Sequence, residues 1–259
     1  MPVRAPAVFI SHGSPMTALD SGSYFRALRA FGERHPARAA IVVSGHWEEG
    51  PPVRVASSPH PPMIYDFYGF PQELYQVGYP APGDPELALE IAGLLAASGV
   101  DASLDPRRGF DHGVWTPLRM LFPSANVPVI PLSLPVERSP RSLHALGSIL
   151  APLRERGIWI LGSGGIVHNL SLPRPAAPDA PAEAWAAEFD GWIKRAIETR
   201  DIEALFAYRT AAPYARQAAP TTDHFDPLFV ILGAAGAGPA EWIYEGFQYA
   251  HMSLRCLAL

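Results

Sequence analysis

Cysteine is nearly absent: Cys256 is the single one among 259 residues. A lone cysteine excludes an internal disulfide and any cysteine-built metal site. Charge is sparse too. Lys and Arg number 20 against 25 Asp and Glu, for a formal net charge of −5, and charged residues make up only 17% of the chain. With no basic excess and no basic cluster, nucleic acid is not expected as a partner. No apolar run approaches the roughly 20 residues of a membrane span, so no membrane association is expected. The first residues lack the basic and long apolar regions of a secretory signal. Neither HExxH, CxxC nor Gly-x-Ser-x-Gly occurs, which removes three common catalytic signatures. A cytoplasmic enzyme is the expected class.

Two residue types are abundant. Nearly half of the chain, 48%, is apolar, enough for a substantial core. Proline reaches 29 residues, clustered at 51–52, 61–62, 80–85 and 173–181. Fixed, non-repetitive loops of this kind can wall a pocket; a GC-rich coding sequence produces the same bias.

Strand-like and helical runs alternate. Strands are expected at 6–11, 38–45, 127–134 and 157–163, and two closing strands within 241–258. Helices are expected at 17–34, 85–99, 113–122, 140–154, 181–199, 201–207 and 225–236. Asp84 is placed to cap the second helix, with Pro85 at its first position. Residues 50–82 form a long stretch rich in proline, glycine and aromatics, with at most one short strand, and such a loop is usually functional. The alternation predicts a single-domain, three-layer α/β/α fold over residues 1–259. Its sheet should be mostly parallel, with an antiparallel edge where the closing strands lie too close for a crossover. The proline-rich segment 171–181 reads as a loop inside that domain.

Histidine recurs after strands. Ala-Val-Phe-Ile-Ser leads to His12, Ala-Ile-Val-Val-Ser-Gly to His46, and a third run through Gly162-Ser163-Gly164-Gly165 to His168. His224 stands between Asp223 and Asp226 at a helix start, where Asp223 reads as a cap. Parallel strands bring their carboxyl ends to one sheet edge, where ligands bind. Converging neutral imidazoles make a metal site or a proton relay. The glycines at 162–165 also suit a backbone anion cradle, but the Lys-Ser/Thr of a phosphate loop is missing. His112, in Gly-Phe-Asp-His-Gly-Val-Trp, opens a helix. His35, His60 and His144 read as surface residues, while His251 in a late strand reads either way. Chemistry alone favours a mononuclear, histidine-rich metal centre.

Six blocks carry a resemblance across essentially the whole chain: Ser11-His12-Gly13-Ser14-Pro15-Met16, Ser44-Gly45-His46-Trp47, Tyr65 through Pro71, Asp111 through Leu118, Gly162 through Leu170, and Asp223 through Leu228. In this order they resemble the class III, LigB-type extradiol ring-cleavage dioxygenases, and within them the small DOPA-type group. The resemblance implies that His12, His46 and His224 hold a metal, with His224 where the wider superfamily has a glutamate. It implies Fe(II) for activity, and three neutral nitrogens also make Zn(II) a credible occupant. It gives His168 an acid/base role, or that of a fourth ligand without substrate. It makes His112 a catalytic histidine of the pocket, with Asp111 behind it as orienter. Trp47, Tyr65, Phe67 and Asp111 are the candidate substrate contacts. The substrates implied are a DOPA-like catechol and O2. A substrate carboxylate would need a cation, for which Arg107, Arg108, Arg209 and Arg216 are candidates. The same histidines also admit a zinc hydrolase with a metal-bound water. The sequence indicates no oligomeric state.

Overall fold

The computed structural model of the protein describes residues 4–172, 177–236 and 238–259. β1 (Ala7–Ser11) leads through a 3-10 turn (Pro15–Leu19) into α1 (Ser23–Arg34). β2 (Ala39–Glu49) and β3 (Val53–Ala56) precede a long irregular stretch that holds one 3-10 turn (Gln72–Gln76). Then come α2 (Pro85–Ala97), β4 (Ala102–Asp105), α3 (His112–Leu121), β5 (Val129–Pro135), α4 (Pro140–Leu150) and β6 (Ile158–Gly164). The last part holds α5 (Ala184–Glu198), short α6 (Ile202–Phe206), α7 (Tyr208–Ala211) and α8 (Ala215–Ala218), and α9 (Pro227–Ala234). It closes with β7 (Glu241–Tyr244), β8 (Phe247–Gln248), β9 (Met252–Ser253) and β10 (Cys256–Ala258).

Eight strands form one sheet in the order β4-β3-β5-β2-β6-β1-β10-β7, and β8 and β9 pair separately. The central strands β5, β2, β6 and β1 run parallel. β10 lies antiparallel on β1 and β7 antiparallel on β10, so the edge expected there is antiparallel. β3 also runs antiparallel to β5 and carries β4 parallel beside it. The sheet is thus mixed on both flanks.

Why the central strands read as continuous apolar runs follows from their two faces. Ala7, Phe9, Ile41, Val43 and Ile160 point into one core with α2, α4, α5 and α9. Val8, Ile10, Ala40, Val42, Trp159 and Leu161 point into the other with α1 and α3. This period-2 division makes three layers, helix on sheet on helix. No helix among the described residues is long and apolar enough to cross a membrane.

Several boundaries differ from those expected. The helix expected over 17–34 is broken, because Asp20 Oδ1 accepts the Gly22 amide in a turn between the 3-10 segment and α1. The helix expected to reach 154 ends at Leu150, and Pro152 lies in the 3-10 turn Ala151–Arg156 that follows; proline cannot continue the backbone ladder. The two closing strands are four short ones. β4, α7 and α8 are too short to produce a period and were not expected. Asp84 does cap α2, accepting from the Leu87 amide at 2.9 Å. Of the expected loop 171–181, residues 173–176 lie outside the described residues.

β2 also runs further than expected, through His46 to Glu49, with a register shift against β5 between Val43 and Glu48. His46 therefore lies in a bulged strand end rather than beyond the strand, and bulges re-aim side chains at sites. The glycines at 162 and 164 belong to β6 and do not form an anion-binding turn. They are small because the chain after residue 222 crosses them closely. A Cβ on Gly164 would sit 2.0 Å from the His224 carbonyl oxygen, and one on Gly162 would sit 2.7 Å from that of Pro227. Gly164→Ala should accordingly push the His224 turn off the sheet. The expected cost is about 1–3 kcal/mol of stability, as for overpacking, and it is read as a lower urea midpoint. An unchanged midpoint would show that the turn is free to shift.

Candidate metal centre

Three imidazoles from distant parts of the chain meet at the carboxyl edge of β1, β6 and β2. His12 follows β1 directly, and its amide donates to Gly164 O at 3.0 Å. His46 projects from the bulged end of β2. His224 lies in the turn before α9, held against β6. His12 Nε2 is 3.2 Å from His46 Nε2, and His46 Nε2 is 3.1 Å from His224 Nε2.

A ring with its hydrogen on Nδ1 turns a bare Nε2 toward its neighbours, and each ring has an acceptor near its Nδ1. His224 Nδ1 donates to Asp223 Oδ2 at 2.5 Å, and His46 Nδ1 faces the carboxylate of Asp66, with Oδ2 at 3.2 Å. A carboxylate can only accept. His12 Nδ1 is 2.9 Å from Ser163 Oγ, whose own hydrogen goes to Gly113 O at 2.5 Å. The serine oxygen must then accept from His12. His12 and His224 therefore aim bare Nε2 atoms at His46, and with its hydrogen on the Asp66 side all three lone pairs face one another.

Such an arrangement is repulsive unless a cation lies between the nitrogens. Two nitrogens held about 2.0–2.1 Å from one ion, at angles of roughly 90–110°, stand about 2.8–3.4 Å apart. The observed spacings match, so the donor set fits a metal. The partners at Nδ1 are of the kind that orient metal-binding histidines.

Electrostatics favours the neutral, ligating form. Burial, followed by the neighbouring imidazoles His112, His224 and His168, pushes the pKa of His12 well below the ordinary value. Burial and then His224, His112, His12 and His168 do the same to His46. Burial works to raise Asp223 and Asp66. Hydrogen bonding and charge from His224 outweigh it at the first, and from His112 at the second, so both carboxyls stay below the usual range.

Two more imidazoles border this group. His168 stacks on His224, with ring centroids 3.6 Å apart and planes 9° from parallel. Its amide donates to Ala218 O at 2.8 Å, which fixes its backbone. His112 is the first residue of α3, and its ring centroid lies 4.1 Å from that of His46. Gly113 permits this approach, since a Cβ there would meet Ser44 Oγ at 2.4 Å and His46 Cδ2 at 2.9 Å.

Beside these rings opens a cavity of about 510 Å³, lined by Gly13, Ser14, Pro15, His46, Asp66, Phe67, Tyr68, Gly69, Phe70, His112, His168, Leu170 and Met252. Phe67 and Phe70 meet edge to face at 5.4 Å, and Phe67 stands 5.6 Å from His112. A second cavity of about 520 Å³ opens between α5, α9 and β7. Ile197, Ile202, Leu205, Leu232 and Trp242 line it with His144, and it brings no set of metal-binding groups together.

Of the four candidate substrate contacts, Phe67 lines the cavity and three do not. Trp47 follows His46 in a strand and so turns to the opposite face. It is buried, bonded to Glu49, and covered by the Arg108 guanidinium at 4.7 Å. The Tyr65 hydroxyl donates to Val77 O at 2.9 Å and anchors its own loop. Asp111 caps α3 at Val114, accepts from Ser44 at 2.8 Å, and pairs with Arg108 at 2.5 Å. Burial raises its pKa, against Arg108. Asp111 therefore does not orient His112. Asp66 does, accepting from both the His112 amide and Nδ1 at 2.9 Å. Asp223 bonds His224 and does not cap α9. None of Arg107, Arg108, Arg209 and Arg216 lines the cavity. Among the histidines expected on the surface, His60 is exposed whereas His35 and His144 are half-buried, and His251 is fully buried.

Sequence reading missed Asp66, Ser163, Met252 and Arg138. Arg138, its side chain only 8% exposed, donates to Asp226 at 2.5 Å, to Glu48 at 2.6 Å and to Pro135 O at 2.9 Å. It thereby ties the His224 turn to the ends of β2 and β5. No spacing rule links these positions.

Fold and site together define an α/β protein with a histidine cluster that could hold a metal ion. The chain belongs to the LigB family of aromatic ring-opening dioxygenases: the family described as the catalytic LigB subunit of aromatic ring-opening dioxygenase matches residues 6–256. It is 41% identical over 252 residues to the 4,5-DOPA dioxygenase extradiol of Beta vulgaris, covering 95% of this chain and 92% of that one. It is 35% identical to the enzyme of the same name from Escherichia coli K12, over 97% and 93% of the two chains. The crystal structure of the uncharacterised protein JW3007 from Escherichia coli K12 superposes with a TM-score of 0.83 at 31% identity, covering 99% of this chain and all of that one. The protein is thus an extradiol-type oxygenase of a metal-dependent family. These relatives do not favour the zinc-hydrolase alternative.

The depressed histidine pKa values have a sign that can be measured. In protein stripped by a chelator, the unfolded chain takes up protons on His12 and His46 below about pH 6.5, whereas the native state does not until lower pH. Stability falls as pH drops through that window. The urea midpoint should decrease between about pH 7.5 and about pH 5.5, and less so in His12→Ala. An equal decrease in both proteins would mean that His12 is not desolvated.

Proposed function

We propose that this protein opens the ring of a catechol carrying a DOPA-like side chain, using O2 as co-substrate and Fe(II) held by His12, His46 and His224. On this reading, residues 1–259 form one catalytic domain that works in the cytoplasm. The observation that carries the reading is the three-nitrogen face opening beside an aromatic-walled cavity of about 510 Å³. Three protein nitrogens leave the cavity side of a cation open, as the two-histidine, one-carboxylate face of non-haem iron oxygenases does, with His224 in the carboxylate's place. Zn(II) fits the same neutral donors, so the bound metal and the active metal are separate measurements.

When bound, Fe(II) supplies Lewis acidity that lowers the hydroxyl pKa of a catechol, together with the one-electron chemistry that O2 requires. The protein's residues do the rest. Phe67 and Phe70 offer an apolar wall for a flat ring. His112 lines the cavity with Nδ1 bonded to Asp66, which leaves Nε2 for a substrate hydroxyl. His168, held against His224 at 3.6 Å, acts as the acid/base, taking the second hydroxyl proton and returning it later. An imidazole suits both steps because it titrates near neutral pH. Both atoms of O2 enter the product, a muconic semialdehyde cleaved beside the former diol.

Two outcomes test the proposal. After anaerobic Fe(II) loading, addition of DOPA or related catechols should consume O2 and give a yellow product. No uptake across the panel, with iron content confirmed, contradicts it. His168→Ala should keep its metal and lose turnover by about 10²–10⁴-fold, the range of general acid–base catalysis. Loss of the metal as well would make His168 a ligand instead.

A further inference from the structure

One carboxylate touches both a nitrogen-face imidazole and a cavity imidazole. Asp66 Oδ2 faces His46 Nδ1 at 3.2 Å, an ion-pair distance. Its Oδ1 accepts from the His112 amide and from His112 Nδ1, each at 2.9 Å. The Asp66 side chain is 23% exposed, so these bonds are partly shielded from water. Because both oxygens only accept, His112 Nδ1 carries hydrogen, and the carboxylate charge 3.2 Å from His46 Nδ1 favours hydrogen there too. In the neutral rings, both Nε2 atoms are then bare.

We infer that Asp66 is a positioning residue that sets the tautomers of His46 and His112 together, aiming one lone pair at the metal and leaving the other available to substrate. The inference rests on the metal reading given above. It adds that proton placement at the ligand and at the cavity histidine is governed by one side chain. That side chain lies next to Phe67, so the loop that walls the cavity also orders the metal face.

The chemistry of an amide separates this role from simple packing. Asparagine has one acceptor oxygen and one NH2 donor where aspartate has two acceptors. In Asp66→Asn the oxygen stays with His112, where two N–H groups already converge on one atom. The NH2 then faces His46 Nδ1. His46 can meet a donor only by accepting, so its hydrogen moves to Nε2. The nitrogen that must bind the cation is blocked, while His112 keeps its tautomer. Asp66→Ala presents neither donor nor acceptor and leaves His46 free to take either form. A packing role predicts that alanine is the more damaging change; tautomer control predicts that asparagine is.

The test is long-range 1H–15N NMR of the histidine rings in the chelator-stripped full-length chain, paired with Zn(II) affinity by chelator competition. The wild-type protein should show Nδ1–H at both His46 and His112. Asp66→Asn should show Nε2–H at His46 and bind Zn(II) about 10–100-fold more weakly, the usual cost of losing a histidine's orienting partner. Asp66→Ala should lose less. Hydrogen on Nε2 of either ring in the wild type overturns the inference, and that measurement needs no variant. So does an Asp66→Asn protein with unchanged tautomers and affinity. If the wild type shows the expected tautomers yet does not bind Zn(II), the metal reading fails and the tautomer assignment stands.

Discussion

Three imidazole lone pairs aimed at one point repel one another unless positive charge lies between them, and much of this structure exists to hold them there. His46 Nε2 lies 3.2 Å from that of His12 and 3.1 Å from that of His224. Ser163 and Asp223 hold the Nδ1–H of His12 and His224, and the Asp66 carboxylate faces Nδ1 of His46, so the surroundings oppose turning a hydrogen inward. Burial reinforces this by keeping His12 and His46 neutral. A cation between the nitrogens would offset that repulsion, which would link folding to metal affinity.

The scaffold supplies the rigidity that such a constraint demands. His12 and His46 stand on neighbouring parts of one sheet, whose central strands are buried on both faces by two separate cores. His224 has no strand of its own. Its turn is pressed onto β6 across Gly164 and onto β2 across Gly45, where added Cβ atoms would lie 2.0 and 2.9 Å from backbone oxygens. Arg138 fastens the same turn from the other side through Asp226 and Glu48. A buried cation of this kind is costly unless fully paired, and here its partners are the segments that carry the ligands.

The cavity shows a division of labour among side chains that sit next to one another in sequence. Alternation along β2 sends His46 to the site and Trp47 away from it. Within one loop, Tyr65 bonds the main chain, Asp66 serves two histidines and Phe67 faces the cavity. Asp111 and His112 separate in the same manner: the first caps α3 and neutralises Arg108, while the second lines the cavity. Type and proximity in sequence could not assign these roles, because each depends on which way a residue points.

What the sequence determined by itself was set by local pattern. Apolar runs and helical spacing placed the parallel core, and strand ends singled out His12, His46 and His168. The capped start of α2 at Asp84 and Pro85 was equally plain. Only the tertiary structure decided which acceptor sits behind each ring, because Asp66, Ser163 and Arg138 lie tens to more than a hundred residues from their partners. The same holds for the glycines of β6, which look like a turn in sequence and prove to be the space through which another segment passes. Strands and helices arise from periodicity within a few residues, whereas hydrogen-bond direction and close approach arise between segments that the chain brings together only when it is folded.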